Sequence, residues 1–197
     1  GVFKLQIGVD STSTLSAPKV EKFKSGKPIV FYGTSITQGG CPSRPGMTYS
    51  NILGRWFDCE AINLGFSGNA RMDRSMLEAI KRIDAQKYVI NCLPNCTQDI
   101  IRDSAYHFMS TLAKERPEVT IYMVENVEFT DRHINQRTAK DLVEKNRMWS
   151  DLYKQLRKEG YKNLRYIPSE GYVGTDDEHS VDGAHFTDLG FMRMAET

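Results

Sequence analysis

The chain has 197 residues, the length of one ordinary domain with a short extension, and 40% of them are hydrophobic, enough to build a real core. Its 26 Lys and Arg stand against 25 Asp and Glu, a formal charge of +1, so the composition gives no electrostatic footprint for nucleic acid or an anionic membrane. No apolar run approaches the roughly 20 residues of a spanning helix, and the opening GVFKLQIGVD shows neither the basic nor the apolar region of a signal peptide.

Residues 2–9 alternate, with Phe3, Leu5, Ile7 and Val9 on one side, which predicts a half-buried strand. Residues 10–27 are rich in Ser, Thr, Lys, Pro and Gly and read as a linker. Residues 1–27 are therefore expected to be the strand and linker remnant of a preceding domain, and residues 28–197 the domain proper. From there the pattern alternates. Strands are expected at 29–32, 60–64, 88–93, 119–124 and 164–167, and helices at 49–58, 72–83, 98–114 and 137–159. Five βα repeats imply a parallel five-stranded sheet with helices on both faces, because right-handed crossovers are the common way to connect parallel strands. The class is α/β, a three-layer α/β/α sandwich. A further amphipathic helix begins at Thr187 and no Gly or Pro stop follows its closing residues 193–197, so the domain reads as cut short at its carboxyl end.

In an open parallel sheet the ligand crevice lies beyond the carboxyl ends of the strands, so the segments that follow them carry the chemistry. After the first strand comes Gly33-Thr34-Ser35, then Ile36-Thr37-Gln38-Gly39-Gly40. A Ser at such a strand-to-helix turn presents its hydroxyl among converging backbone N–H groups, which suits a nucleophile or an anion cradle; a capping Ser in a Gly-rich turn is the plainer reading of the segment alone. No Lys follows the glycines, which excludes a phosphate loop, and the dinucleotide fingerprint is absent. The second loop, Asn63-Leu64-Gly65-Phe66-Ser67-Gly68-Asn69, allows close backbone approach to a ligand. The third offers Asn95, whose amide can donate inward.

The last loop contains Asp182-Gly183-Ala184-His185. A carboxylate three residues before a His can accept from Nδ1 and leave Nε2 as a base. His179, in the acidic run 176–178, is the competitor; His107 lies mid-helix and His133 in a polar loop. No His pair has metal-ligand spacing and no set of three ligands can be assembled, so no metal is expected. Cys41, Cys59, Cys92 and Cys96 read as packing residues, a bridge from Cys41 to the 92–96 segment being the one disulfide worth considering.

Taken together, the order Ser, Gly, Asn, Asp-x-x-His resembles the SGNH hydrolase (GDSL esterase) superfamily over residues 28–197. The resemblance implies a flavodoxin-like fold and a triad of Ser35, His185 and Asp182. It also implies an oxyanion hole from the Ser35 N–H, Gly68 and the Asn95 side chain, acyl transfer to water and no cofactor. Three positions depart from the pattern: Thr34 stands where the Asp beside the nucleophile is usual, and Leu93 and Cys96 stand where Gly and Asp are usual. The wording around these motifs is similar to a bacterial branch in which an N-terminal β-sandwich precedes the hydrolase domain, whose members are generally exported and resemble carbohydrate esterases. The expected partner is an ester of a small molecule or oligosaccharide. The loop after Ser35 is polar and Gly/Pro-stiffened, without an apolar wall for a long acyl chain, so an acetyl ester of a sugar is the expected substrate, with Gln38 and Arg44 as candidate binding residues. An acyltransferase using the same triad and a sugar-binding module with a vestigial triad are the alternatives.

Overall fold

The structure is a computed structural model that describes residues 4–17, 19 and 23–197. Five parallel strands form one sheet: β1 (Ile29–Gly33), β2 (Ala61–Gly65), β3 (Lys87–Asn91), β4 (Thr120–Val124) and β5 (Leu164–Ile167), in the spatial order β2-β1-β3-β4-β5. That order is the doubly wound, flavodoxin-like one, and it reverses direction between β1 and β3. The register runs Ile29 opposite both Ala61 and Lys87, and Gly33 opposite both Gly65 and Asn91, so the carboxyl ends of β2, β1 and β3 finish level.

Alternate residues of the strands serve two cores. Val30, Tyr32, Tyr88, Ile90, Ile121 and Met123 point to one side and are buried by α3 (Arg74–Ile80), α5 (Tyr106–Glu115) and the long α6 (Gln136–Lys158), which contributes Trp149, Leu152 and Leu156. Ile29 and Phe31 point to the other side, where α2 (Tyr49–Trp56) and α7 (Asp188–Glu196) supply Tyr49, Ile52, Phe191 and Met194. The sheet is thus covered on both faces, as a parallel sheet requires. The predicted 98–114 helix is one continuous run in three parts, α4 (Gln98–Ile100), a π-helical turn (Ile101–Ala105) and α5. Three short elements were not foreseen in the sequence: the single-turn α1 (Ser35–Gln38), and 3-10 turns at Pro45–Met47 and Leu93–Asn95. Among the described residues no helix is long and apolar enough to cross a membrane.

The amino-terminal expectation requires correction. Val2 and Phe3 lie outside the described residues, and Lys4 to Val9 form no strand, with Leu5, Ile7 and Val9 exposed. Alternation makes a strand only when a neighbour takes its N–H and C=O groups, and the sheet finds all its partners among β1 to β5. Residues 23–27, read as linker, are instead fastened to the domain: Ser25 N–H donates to Asp58 O, Gln86 donates to Ser25 Oγ, and Lys27 Nζ sits 2.8 Å from Asp84.

Candidate active site

The switch between β1 and β3 puts the segment after β1 beside the segment after β3 at one sheet edge, the place where doubly wound folds bind ligands. Ser35 is the first residue of α1. The turn is tight because Gly33 has no side chain: a Cβ there would lie 2.1 Å from Thr37 Oγ1 and 2.5 Å from Asn91 O. Thr34, buried and extended, caps α1 by accepting from Ile36 N–H at 3.3 Å. Thr and Asp are both good acceptors at this position, so the uncharged residue keeps the local geometry without the charge. Thr37 is buried below the turn and shares a 2.8 Å hydrogen bond with Tyr49, whose hydroxyl burial pushes up to about 12.

Ser35 Oγ lies 2.8 Å from His185 Nε2, and His185 Nδ1 lies 2.7 Å from Asp182 Oδ2. These three side chains come from the loops after β1 and β5, 150 residues apart for the Ser and His. The His loop is a tight hairpin. Ser180 and Phe186 form an antiparallel bridge, Val181 N–H donates to His185 O, and Asp182 Oδ1 accepts from the N–H groups of Ala184 at 3.0 Å and His185 at 2.8 Å. Asp182 therefore fixes its own loop with one oxygen and orients the imidazole with the other. The His185 N–H first, then the His185 side chain and the Ala184 N–H, hold the carboxyl down to about 2. Gly183 takes φ +98 and packs against Asp131, while Thr130 N–H donates to Gly183 O, so the loop after β4 supports the hairpin from outside.

The other predicted donors stand on the same edge. Asn95 lies in the 3-10 turn after β3, and its Oδ1 accepts from Ala70 N–H at 3.3 Å, which leaves the Nδ2 group to donate. Gly68 takes φ +70 in the turn after β2, a conformation natural to glycine. The N–H groups of Ser35 and Gly68 make no hydrogen bond to another described residue. Gln38 Oε1 accepts from Ser67 N–H at 2.9 Å, so this side chain braces the Gly68 turn as well as standing at the rim. Arg44 is exposed, 3.1 Å from Ser43 Oγ and 3.8 Å from Asp188.

His179 is excluded by burial. It is 3% exposed, packs edge-on to Phe186 at 5.9 Å, and burial pushes its imidazole below the ordinary value. His107 and His133 are exposed, and neither makes a hydrogen bond to Ser35 or Asp182. The four cysteines are free. The bridge considered for Cys41 does not form because Cys92 and Cys96 are buried in the core, where Cys96 Sγ bonds to Cys92 O and Ala70 O, whereas Cys41 is exposed. Hydrogen bonding with Cys96 and burial push the Cys92 thiol well up. Cys96, where Asp was expected from the resemblance, thus anchors the segment that follows Gly68 through Ala70 O.

Two positioning residues escaped the sequence reading. Asn63 donates to Thr37 O and Ser50 Oγ and accepts from Gly65 N–H, tying α1 to the end of β2. Asp188, in the first turn of α7, accepts from both the N–H and the hydroxyl of Ser43, tying the loop after α1 to the segment after His185. The first stood inside a quoted motif and could have been found there; the second pairs residues 145 apart and left no local signal.

The model of the GDSL-like lipase/acylhydrolase family matches residues 26–197. The chain belongs to this family. A Bacteroides ovatus protein assigned as a GDSL-like lipase is 36% identical with a TM-score of 0.84, the match covering 90% of this chain and 52% of that one. The salicylyl-acyltransferase SsfX3 of a tetracycline biosynthetic pathway is 16% identical, with a TM-score of 0.73 over 93% of this chain and 55% of that one. The carbohydrate acetylesterase Est24 of Sinorhizobium meliloti is 17% identical, with a TM-score of 0.59 over 86% and 94%. The chain spans about half the length of the first two, and the last two share its fold alone. No curated protein sequence matches it.

Proposed function

We propose that this GDSL-like chain is a serine ester hydrolase that removes short acyl groups, acetyl foremost, from carbohydrate. The observation that carries the reading is the unbroken line of hydrogen bonds from Ser35 Oγ through His185 to Asp182, at 2.8 and 2.7 Å. In that arrangement His185 takes the Ser35 proton on Nε2 as Oγ attacks the ester carbonyl, and Asp182 holds the imidazole in the tautomer that makes this possible. In this reading the tetrahedral oxyanion is met by the Ser35 N–H, the Gly68 N–H and the Asn95 amide. His185 then returns its proton to the departing alcohol, and water deacylates Ser35 by the same route.

Three things support a short acyl group. The triad is open to solvent, with the side chains of His185 and Asp182 32% and 48% exposed. The nearby rim is polar, built from Gln38, Ser43 and Arg44. An apolar cavity of about 270 Å³ exists, but it is walled by residues such as Ile29, Phe31, Tyr49, Leu53 and Met194, on the α2 and α7 side of the sheet, and neither Ser35 nor His185 lines it. That cavity therefore offers a long acyl chain, which gains about 0.8 kcal/mol per buried methylene, no wall beside the nucleophile. The carbohydrate leaving group rests on this polar rim together with the likeness to carbohydrate acetylesterases.

The test compares kcat/KM for nitrophenyl acetate and octanoate with acetate release from acetylated xylo- and pectic oligosaccharides, for the wild type and Ser35→Ala. Ser35→Ala should retain its fold, lose at least about a thousandfold in rate and escape fluorophosphonate labelling. More than a tenth of the activity in well-folded Ser35→Ala would remove Ser35 from the mechanism. Preference for octanoate with no acetate released from any sugar would remove the carbohydrate assignment alone.

A further inference from the structure

Cys41 has no part in the hydrolytic scheme, yet it stands at its centre. It follows Gly39-Gly40 with φ +72, a backbone position that side chains other than glycine rarely take. Its Sγ, a carboxylate oxygen of Asp182 and a ring nitrogen of His185 lie within 4.8 Å of one another. Three donors converge here that the sequence left in three unrelated places. The composition of the cluster selects its ligand: thiolate and imidazole are poor partners for Ca²⁺ or Mg²⁺, which need several hard oxygens, whereas thiolate, imidazole and carboxylate together form a donor set that zinc takes. Metal-ligand bonds of about 2.0–2.3 Å place the donors of a tetrahedral site roughly 3–4 Å apart, so closure asks for a shift of about an ångström, within reach of rotating an exposed side chain. With three protein donors the fourth position faces solvent and takes water.

We propose that Cys41, Asp182 and His185 form an inhibitory site for a thiophilic divalent cation, Zn²⁺ being the representative one. Binding exchanges the Cys41 thiol proton, released to the medium, for the metal, and engages a lone pair of the imidazole. Whichever ring nitrogen is taken, a hydrogen bond of the triad is lost: at Nδ1 the metal takes the place of the proton that Asp182 accepts, which moves to Nε2 and leaves that nitrogen unable to accept the Ser35 proton, and at Nε2 the metal displaces Ser35 Oγ. Binding and the serine reaction therefore exclude each other. The exclusion rests on the serine hydrolase reading above; the binding does not.

The experiment uses the reduced chain stripped of metal and adds ZnCl₂ against a chromophoric chelator, while nitrophenyl acetate hydrolysis is followed on the same samples, each protein normalised to its own metal-free rate. The wild type should take up one equivalent, lose its activity with the midpoint of binding and recover it with EDTA, and MgCl₂ should do nothing. Cys41→Ala should bind at least about tenfold more weakly and stay active at Zn²⁺ concentrations that silence the wild type. Equal binding and equal inhibition in Cys41→Ala would overturn the proposal, as would a wild type that binds zinc through Cys41 and keeps its full rate. Failure of the serine hydrolase reading looks different: the metal-free wild type would show no Ser35-dependent turnover, and the chelator competition would still decide whether the site exists.

Discussion

The Ser35 turn and the Asp182–His185 hairpin meet in one hydrogen bond but are held by different physics. The turn is held by exclusion. Gly33, Gly39 and Gly65 let backbone and side chains approach to distances that no Cβ tolerates, and buried Thr34 and Thr37 fill what remains. The hairpin is exposed and is held by hydrogen bonds instead: Asp182 to its own loop, Thr130 to Gly183 O, and an antiparallel bridge at Ser180 and Phe186. A packed turn fails all at once when a methyl is added, whereas a hydrogen-bonded loop weakens by steps. The two halves should therefore answer mutation differently.

The strongest way to break the comparison is Gly65→Ala. Its Cβ would sit 2.0 Å from Gln38 N and 2.3 Å from Gln38 Cα, backbone atoms that cannot rotate away. A stability loss of about 3 kcal/mol or more is expected in urea unfolding, with activity lost in whatever folds, because the strain lands on α1 directly behind Ser35. Near-normal stability with normal kcat would show that the turn is looser than its contacts indicate.

Asp182→Asn is next and acts on the other half. The hairpin should persist, since an amide oxygen still accepts from Ala184 and His185, but the imidazole loses the acceptor that sets its tautomer. A fall in kcat of about 10³- to 10⁴-fold is expected with little change in melting temperature. The pH dependence follows from the same carboxylate. Its folded pKa, about 2, lies below its unfolded value of about 3.9, so its contribution to stability is complete above that value and fades as pH falls toward 2. Asp182 thus stays ionised through mild acid. Melting curves between pH 2 and 5 should be flatter for Asp182→Asn than for the wild type, by a small amount because the group is half exposed. By contrast, His179→Ala should lower stability, as a cavity beside Phe186 must, while leaving the rate per folded molecule intact. If His179→Ala abolished turnover and His185→Ala did not, the base would be misassigned.

The same division explains what could be read in the sequence. The five strands and four long helices were legible because apolar periodicity is local, and Ser35, Asn95, Asp182 and His185 because they immediately follow strands or sit in a short motif. α1 was missed because a four-residue helix has no period to detect. The 2–9 alternation misled over its described part because pairing, and not pattern, makes a strand. The support of the hairpin from Thr130 and Asp131 was invisible, being a contact between loops some 50 residues apart that nothing in either segment announces. The same is true of Cys41: the sequence shows a lone cysteine, and only the fold brings it to Asp182 and His185.

Asn95→Ala lies between the halves and should cost roughly a hundredfold in kcat with little change in KM, because its amide serves the oxyanion and not the ground-state carbonyl. Loss of the Ala70 contact to Oδ1 adds some loosening of the Gly68 turn, so part of the effect should appear as well in a shift of melting temperature. A rise in KM at constant kcat would make Asn95 a binding residue.

The smallest expected effect tests the seam itself. Ser43 joins the loop after α1 to α7 through two bonds to Asp188, backbone N–H to Oδ1 at 2.8 Å and hydroxyl to Oδ2. These bonds, the hydroxyl first, hold the Asp188 carboxyl below its ordinary value, and Arg44 adds to the effect. Gly40 in the same loop backs the His185 ring, since a Cβ there would lie 3.1 Å from Cδ2. Slackening the seam therefore frees the imidazole from behind without touching the triad. Ser43→Ala removes the hydroxyl bond to Asp188, worth about 1 kcal/mol at an exposed site, along with the contact from Arg44, and leaves the N–H bond, so kcat should drop about twofold to fivefold. Asp188→Ala removes both bonds and the favourable charge in the first turn of α7, and should lose more. Measured side by side with nitrophenyl acetate, the two variants grade the seam: a rate that falls from Ser43→Ala to Asp188→Ala shows a hairpin weakening by steps, and equal rates at the wild-type level would show that the His185 loop holds itself.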